Sequence, residues 1–159
     1  MTEPREIATQ FFEAFARRDA ETMGSLYRDD ATFSDPAFPD LDAQGVRDMW
    51  SMLLSRSKDL AITFEVLGEN GAVVQTRWVA RYTFSGTGRK VENIVTSSQT
   101  IVGGKIQKQV DAFDFWRWSG QALGLSGKLL GWSGFLRKKV QGVAAKGLAT
   151  FREKRRQTS

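Results

Sequence analysis

The chain has 159 residues, a net charge of +5, and 41% hydrophobic and 26% charged residues, which suffices for one domain with its own hydrophobic core. Cysteine and histidine are both absent. Their absence excludes thiol nucleophiles, imidazole bases, disulfides and the usual zinc sites, so acid–base chemistry has to use carboxylates, tyrosine, lysine or water, and we expect neither a metal nor a cofactor.

The N-terminal part of the chain has the apolar spacing of helices. A first helix is predicted from Pro4 to about Arg17, because apolar residues recur there every three or four positions. A second, short helix is predicted from Ala20 to about Tyr27, with Asp19 as its N-cap. The apolar stripe of the first helix comprises Ile7, Phe11, Phe12 and Phe15.

A loop separates these two helices from a third one. Residues 31–34 are predicted to form a short extended piece, and Asp35 has to leave the helical region because Pro36 restricts the residue before it. Helical spacing resumes from Gly45 to about Ser57 and gives the third helix a bulky apolar face that includes Trp50. Asp35 is therefore expected at the edge of a loop.

The hydrophobic period changes from 3.6 to 2 in the next part of the chain, which predicts four strands. Glycine-containing turns separate them, so an antiparallel meander is the simplest arrangement, and the N-terminal helices are expected to cover one of its faces. The predicted strands are Ala61–Glu69, Ala72–Ser85, Lys90–Val102 and Lys105–Trp116.

The last predicted strand places Gln109, Asp111, Phe113 and Phe115 on one face. Neither face of this strand is wholly apolar, which indicates polar groups on a surface that the fold partly encloses, as in a ligand pocket. The aromatic residues of such a pocket could equally belong to the core, and its polar residues to a dimer face. The expected pocket-lining residues are Phe11, Phe15, Trp50, Trp78, Tyr82, Asn93, Ser97, Gln109 and Phe113.

The C-terminal segment is basic and rich in glycine. A final helix is predicted from about Phe135 to Arg155, and Glu153 is the only acidic residue from Lys128 onward. Such a surplus attracts nucleic acid or anionic lipid, but no nucleic-acid motif accompanies it, so we expect the helix to pack within its own protein. The segment from Trp116 to Trp132 is interpreted as an appendage that closes a sheet edge or, alternatively, as a lid or lipid-facing cap.

The sequence also bears on location. Its first residues lack the basic and apolar regions of a signal peptide, and no run of about 18 apolar residues occurs anywhere. We therefore expect a cytoplasmic protein with no stable membrane insertion and no nucleic-acid partner.

Two segments resemble the nuclear transport factor 2-like superfamily. The segment from Phe11-Phe12-Glu13 to Asp35-Pro36 is similar to the N-terminal third of ketosteroid isomerase-like proteins, and Lys105–Asp114 is similar to the last strand of SnoaL-like proteins. The resemblance implies an α+β fold, with a cone-shaped, curved antiparallel or mixed sheet covered by N-terminal helices, extra C-terminal helices and a homodimer. It divides the chain into a nuclear transport factor 2-like domain, 1–118, and a C-terminal helical extension packed on the same domain, 119–159.

The resemblance also implies two catalytic residues. Asp35 matches the proton-shuttling carboxylate of ketosteroid isomerase-like proteins, and Asp111 matches the acid–base aspartate of SnoaL-like cyclases. Desolvation beside an apolar cavity raises the pKa of a carboxyl towards neutrality. The sequence departs from both patterns, since Phe11 and Ser97 stand where isomerases have a phenol and an acid, and Gln109 stands where SnoaL-like proteins have a histidine.

A third pattern in the superfamily is the Asp-Arg-Asp network of limonene epoxide hydrolase-like proteins. It requires Arg77 or Arg81 beside the two aspartates. Alternation along the strand places these arginines on the face opposite Trp78 and Tyr82. This network is therefore not expected.

The leading functional hypothesis is a protein that binds a small hydrophobic molecule in an apolar pocket and moves a proton with Asp111 and Asp35, as an isomerase or a cyclase does. Because the partner groups of the family sites are replaced, a ligand-binding pocket without catalysis is the second hypothesis. The third is a protein-interaction module that uses the basic C-terminal helix.

Overall fold

The computed structural model of the protein describes residues 3–158. The helices in this range are α1 (Pro4–Ala16), α2 (Ala20–Ser25), α3 (Ala43–Arg56), α4 (Phe115–Leu123), α5 (Leu125–Leu130) and α6 (Gly134–Thr158). The strands are β1 (Tyr27–Ser34), β2 (Leu41–Asp42), β3 (Ala61–Asn70), β4 (Val73–Phe84), β5 (Arg89–Val102) and β6 (Lys105–Phe113).

The six strands form one sheet in the order β2-β1-β6-β5-β4-β3. β1 pairs in parallel with β6 and the other neighbours are antiparallel, so the sheet is mixed. The register shifts between Val66 and Gly68 in β3 and between Thr100 and Ile101 in β5, and such irregularities increase the twist of a sheet. The predicted α+β class with a curved mixed sheet is confirmed.

The N-terminal helices cover one face of the sheet, which we call the inner face. α1 and α3 bury aromatic side chains against it. The ring of Phe15 contacts those of Trp50 in α3 and Trp78 in β4, with centroids 4.9 and 5.1 Å away. Phe11 packs edge-on against Tyr27 of β1 at 5.6 Å. The aromatic stripe predicted on α1 therefore forms the centre of the core.

β1 begins earlier than the sequence predicts. The prediction extends the second helix to about Tyr27, whereas α2 ends at Ser25 and Tyr27 already pairs with Ile106 of β6. The strand is thus fixed by a parallel neighbour far along the chain, and its register with that neighbour is irregular. Local periodicity cannot reveal such a partner, because it reports only on neighbouring positions.

β6 ends earlier than predicted. It stops at Phe113, and Asp114 becomes the N-cap of α4, where its Oδ1 accepts a hydrogen bond from the Arg117 N–H at 3.0 Å. Phe115 therefore starts a helix, and the prediction that it shares a strand face with Asp111 is wrong. An aspartate that satisfies a free N–H group at a helix start favours this turn over a longer strand.

Helices α4 and α5 form a compact pair over the end of the sheet. α4 lies against β5 and, with part of α6, builds a second apolar cluster that comprises Val91, Phe115, Trp118, Ala122 and Leu136. α5 approaches α4 so closely that a Cβ atom on Gly127 would collide with the Ser119 carbonyl group. The predicted division of the chain at residue 118 falls inside α4 and stays a prediction.

Helix α6 passes from the second cluster to the main core. Its Leu148 is 5% exposed and belongs to the core around α1 and α3. Gln141 Nε2 donates to the Pro36 carbonyl at 3.0 Å, and Arg152 pairs with Asp48 of α3 at 2.9 Å. α6 is thus fixed to the loop after β1 and to α3. In the part of the chain that the structure describes, no helix combines the length and hydropathy of a membrane span.

Candidate functional site

Three polar side chains lie in one row across the inner face of the sheet. Thr76 of β4 pairs with Ser97 of β5, and Ser97 pairs with Asp111 of β6. Thr76 and Ser97 are fully buried and Asp111 is 3% exposed. The register of β4, β5 and β6 therefore brings two hydroxyl groups and a carboxyl group together in the interior.

A hydrogen-bond chain fixes the orientation of Asp111. Trp50 Nε1 can only donate, and it donates to the Tyr27 hydroxyl at 2.9 Å. The hydroxyl proton of Tyr27 therefore goes to Gln109 Oε1, 2.6 Å away, which also accepts from Gln99 Nε2 at 3.0 Å. The amide nitrogen of Gln109 is left to donate to Asp111 Oδ1 at 3.1 Å. Tyr27 of β1, Gln99 of β5 and Trp50 of α3 thus orient Gln109 so that its amide nitrogen faces the carboxylate.

Burial also determines the protonation state of Tyr27. Desolvation raises the pKa of this phenol well above its usual range, and the negative charge of Asp111 raises it further. The phenol is therefore protonated at all pH values at which the protein is expected to function. It serves the site as a fixed donor to Gln109.

Five buried atoms around Asp111 lack a hydrogen-bond partner among the described residues. They lie in adjacent register rows of β4, β5 and β6. Such atoms are rare in folded proteins, and each costs about 1–3 kcal/mol when it is left without a partner. Together they offer both donors and acceptors. They are Thr76 Oγ1, Trp78 Nε1, Ser97 Oγ, Gln99 Oε1 and Asp111 Oδ2.

The environment of Asp111 raises its pKa to about 7. Burial is the main cause, and the negative charge of Asp35 adds to it. Gln109 lowers the pKa by donating to the carboxylate, and the nearby Ser97 hydroxyl and Trp78 indole lower it as well, although neither donates directly to the carboxylate. Asp111 therefore exchanges its proton near neutral pH.

Asp35 is the first residue after β1. Because β1 and β6 are parallel and Ser34 pairs with Val110, the next residue of each segment, Asp35 and Asp111, follows the same paired position. Its Oδ1 accepts from the N–H groups of Ala37 at 2.8 Å and Phe38 at 2.6 Å, which closes a turn. Burial raises the pKa of Asp35 to about 6, against the effect of these two donors. Asp35 thus forms the turn and also acts on Asp111 through its charge.

The remaining predicted pocket residues fall into two groups. The first group is buried within the chain itself, so none of its polar members is available for a dimer face. It comprises Phe11, Phe15, Trp50, Trp78, Asn93, Ser97 and Gln109. Tyr82 and Phe113 are partly buried and contact both apolar clusters. Trp118 Nε1 donates to the Tyr82 hydroxyl at 2.9 Å, so Tyr82 lies at the boundary between the core and α4.

The two arginines considered for an Asp-Arg-Asp network lie elsewhere. Arg77 pairs with Glu65 at 3.0 Å, and Arg81 pairs with Glu92 at 3.0 Å, all on the exposed face of the sheet. Alternation along β4 separates them from the inner face. The expectation that this network does not form agrees with these positions.

Sequence reasoning missed Tyr27 and Thr76 as members of the site. The sequence predicts Tyr27 at the end of a helix, and its hydrogen bond to Gln109 joins residues that are 82 positions apart. Thr76 lies in the predicted strand Ala72–Ser85, but its row with Ser97 and Asp111 depends on the register between strands. Register is set by turn geometry and by long-range pairing, so no signal within either segment identifies these partners.

Replacement of Tyr27 by phenylalanine is expected to destabilise the protein by about 1–3 kcal/mol, because the Trp50 N–H group then lacks its acceptor and Gln109 loses one of two donors. Urea denaturation measures this free energy. Tyr82→Phe is the matched control, since it removes a hydroxyl from a less buried site with one hydrogen bond. Equal stability of the wild type and Tyr27→Phe would contradict the proposed chain of hydrogen bonds.

Comparison with protein families finds one match. The family described as SnoaL-like domain matches residues 8–109, which include most of α1, all of α2 and α3, and the sheet up to Gln109. No curated protein matches the sequence. The family match stops just before Asp111 and does not include α4 to α6.

Several solved structures are similar to the chain. IdmH, a candidate polyketide cyclase from Streptomyces antibioticus, is 26% identical, with a TM-score of 0.65 over 78% of this chain and 100% of that chain. An LEH-like epoxide hydrolase from M. tuberculosis is 18% identical, with a TM-score of 0.60 over 80% and 95% of the two chains. A Catenulispora acidiphila protein with a ketosteroid isomerase-like fold is 16% identical, with a TM-score of 0.65 over 77% and 95%.

Proposed function

Because the chain belongs to the SnoaL-like domain family, we propose that it binds a small hydrophobic molecule against the inner face of its sheet and that Asp111 moves a proton on this molecule. The observation that carries the proposal is the state of Asp111. Its pKa of about 7 suits a group that takes up and releases a proton at neutral pH, and its Oδ2 has no partner among the described residues.

The groups around Asp111 support a carbonyl-containing substrate. Three hydrogen-bond donors lie in the register row of Asp111 or in the adjacent row. They are the hydroxyls of Ser97 and Thr76 and the N–H group of Trp78. Donors fixed in a water-poor interior stabilise negative charge that develops on a carbonyl oxygen. Asp111 would remove a proton from the carbon next to the carbonyl and, as a carboxylic acid, return it to another atom, so an isomerisation needs no further reactant.

The apolar part of the substrate is expected next to this polar row. The neighbouring register row consists of Trp78, Val95 and Phe113 and is apolar except for one indole nitrogen. The similarity to IdmH at 26% identity supports the same substrate class, since a polyketide cyclase acts on a molecule with carbonyl groups. Homodimer formation and a cytoplasmic location stay predictions from the sequence.

The first test is native mass spectrometry of the protein purified from its own cells, followed by identification of any retained small molecule. Proton transfer is then measured as deuterium incorporation from D₂O into the identified ligand and into a hydrophobic ketone probe, α-tetralone. Asp111→Asn is expected to lower the exchange rate at least about 100-fold, because asparagine cannot accept the proton. The rate of the wild type is expected to rise with pH and to level off above about pH 7.

Asp35→Asn is the matched variant in the same assay. It removes a negative charge that raises the pKa of Asp111, so the midpoint of the pH profile is expected to move to lower pH while the plateau rate stays close to that of the wild type. A retained ligand without deuterium exchange would favour ligand binding without catalysis. A protein that retains no ligand, exchanges no deuterium and carries a second protein subunit instead would contradict the proposed function.

A further inference from the structure

Most of the exposed large apolar side chains of the described chain occur in its C-terminal part, in what we call the C-terminal apolar patch. They lie on the start of α4, on α5, in the turn after α5 and on the outward side of α6. Each is between 46% and 74% exposed. The patch comprises Trp116, Leu125, Leu129, Leu130, Trp132, Phe135 and Val143. Concentration of apolar area at one place marks a contact surface.

The two tryptophans of the patch are held in place although they are exposed. Trp116 Nε1 donates to the Lys128 carbonyl at 2.9 Å, and Trp132 Nε1 donates to the Leu129 carbonyl at 2.8 Å. The only polar atom of each ring is therefore satisfied within the chain. Each ring presents its apolar surface outward in a fixed orientation, as a contact surface requires.

The patch lies among lysines that form no ion pair within the described chain. No acidic residue occurs between Asp114 and Glu153. Lys138, Lys139 and Lys146 share the outward side of α6 with Phe135 and Val143, at spacings of three and four residues. These lysines form no ion pair with any residue from 3 to 158, whereas the arginines at the end of the same helix bind Asp48.

A basic depression adjoins the patch. It has a volume of about 390 Å³, and its lining includes Trp116 together with Arg89, Arg117 and Lys128. Its one acidic lining residue, Asp114, is engaged as the N-cap of α4. Arg117 pairs with Glu92 at 3.4 Å, so Arg89 and Lys128 supply the excess positive charge beside the indole ring. This charge suits a negatively charged lipid headgroup.

We propose that the C-terminal apolar patch docks the protein on the surface of a bilayer that contains anionic phospholipid. Tryptophan and phenylalanine favour the boundary between headgroups and acyl chains, and lysines placed among them reach the phosphate layer with their long side chains. The charge of the region is complementary to anionic lipid. The helices lie on such a surface and do not cross it. This inference does not depend on proton transfer by Asp111.

The test is co-sedimentation of the whole protein with vesicles. Wild-type protein is expected to bind vesicles made of equal parts of phosphatidylglycerol and phosphatidylcholine, to bind pure phosphatidylcholine at least about tenfold more weakly, and to dissociate as salt is added. The double variant Trp132→Ser/Phe135→Ser is expected to lose at least about tenfold in affinity, because two exposed aromatic side chains are removed. Lys138→Gln/Lys139→Gln is expected to bind about 25-fold more weakly, at roughly fivefold per lysine.

The matched control is Leu67→Ser/Ile94→Ser. These residues are 50% and 43% exposed on strands outside the patch, so their replacement is expected to leave vesicle binding unchanged. Thermal unfolding of each variant shows whether it is folded. Three results would overturn the proposal: equal binding to neutral and anionic vesicles, no binding at all, or an oligomer that only the patch variants dissociate, since the last would make the patch a contact between copies of the chain.

Discussion

Asp111→Asn is expected to be more stable than the wild type at about pH 8, by as much as about 4 kcal/mol. The fold raises the pKa of this carboxyl from 3.8 to about 7, and each pKa unit corresponds to about 1.4 kcal/mol between the two protonation states. The ionised carboxylate therefore destabilises the folded state. Asparagine has nearly the same shape, keeps an acceptor for Gln109 and carries no charge.

The sign of the pH dependence follows from the direction of the shift. Below about pH 4 the carboxyl is protonated in both the folded and the unfolded chain, so it contributes no difference. Between about pH 4 and pH 7 the unfolded chain has lost this proton and the folded chain still holds it, so the free energy of unfolding falls as the pH rises. Above about pH 7 the penalty is complete and constant.

Thermal and urea unfolding of both proteins from about pH 4 to pH 8 measures this difference. The gap between Asp111→Asn and the wild type is expected to open with rising pH and then to stay constant. Some dependence on pH remains in the variant, because burial also raises the pKa of Asp35 to about 6. Asp40→Asn, at an exposed position in the loop after β1, is the control without such a gap. A variant that is less stable than the wild type at pH 8 would show that Asp111 stabilises the fold.

Gly127→Ala is expected to destabilise the protein by about 3 kcal/mol or more. The added methyl group would collide with the Ser119 carbonyl and with the backbone of Gly120. Backbone atoms of a helix cannot move aside as a flexible side chain can, so α5 has to separate from α4. The free energy of unfolding in urea and the exposure of Trp116, which bonds to α5, report the change.

Gly142→Ala is the matched control for this substitution. Gly142 lies inside α6, and apart from its chain neighbours and the backbone of its own helix no atom lies within 4 Å of the position that its Cβ would occupy. Alanine restricts the unfolded chain and favours the helix, so this variant is expected to gain about 0.5–1 kcal/mol. If both alanine variants changed stability in the same direction and by similar amounts, helix propensity and not the contact between α4 and α5 would govern position 127.

Local pattern was sufficient to predict most of the fold. Alternation along β6 predicts Gln109 and Asp111 on one face, and the structure buries both there. The helical spacing of Phe11 and Phe15 identified the side of α1 that faces the sheet. These predictions succeed because the period of a helix or strand is fixed by backbone geometry and is visible in a short segment.

Contacts between distant segments were not predictable in the same way. The hydrogen bond from Tyr27 to Gln109 depends on the parallel pairing of β1 with β6, and the row of Thr76, Ser97 and Asp111 depends on register across three strands. The end of β6 depends on whether Asp114 caps a helix or continues a strand, and the sequence is compatible with both. The position of α6 across α3 is likewise a result of tertiary contacts.

The parallel pairing of β1 with β6 also determines when the protein can fold during its synthesis. β6 is the last strand of the sheet, and it lies between β1 and β5. β1 leaves the ribosome long before the strand that joins it to the rest of the sheet, and closing so long a loop is entropically costly. We therefore expect β1 to stay unpaired with the main sheet until β6 has emerged, and the environment of Asp111 to form among the last parts of the native structure.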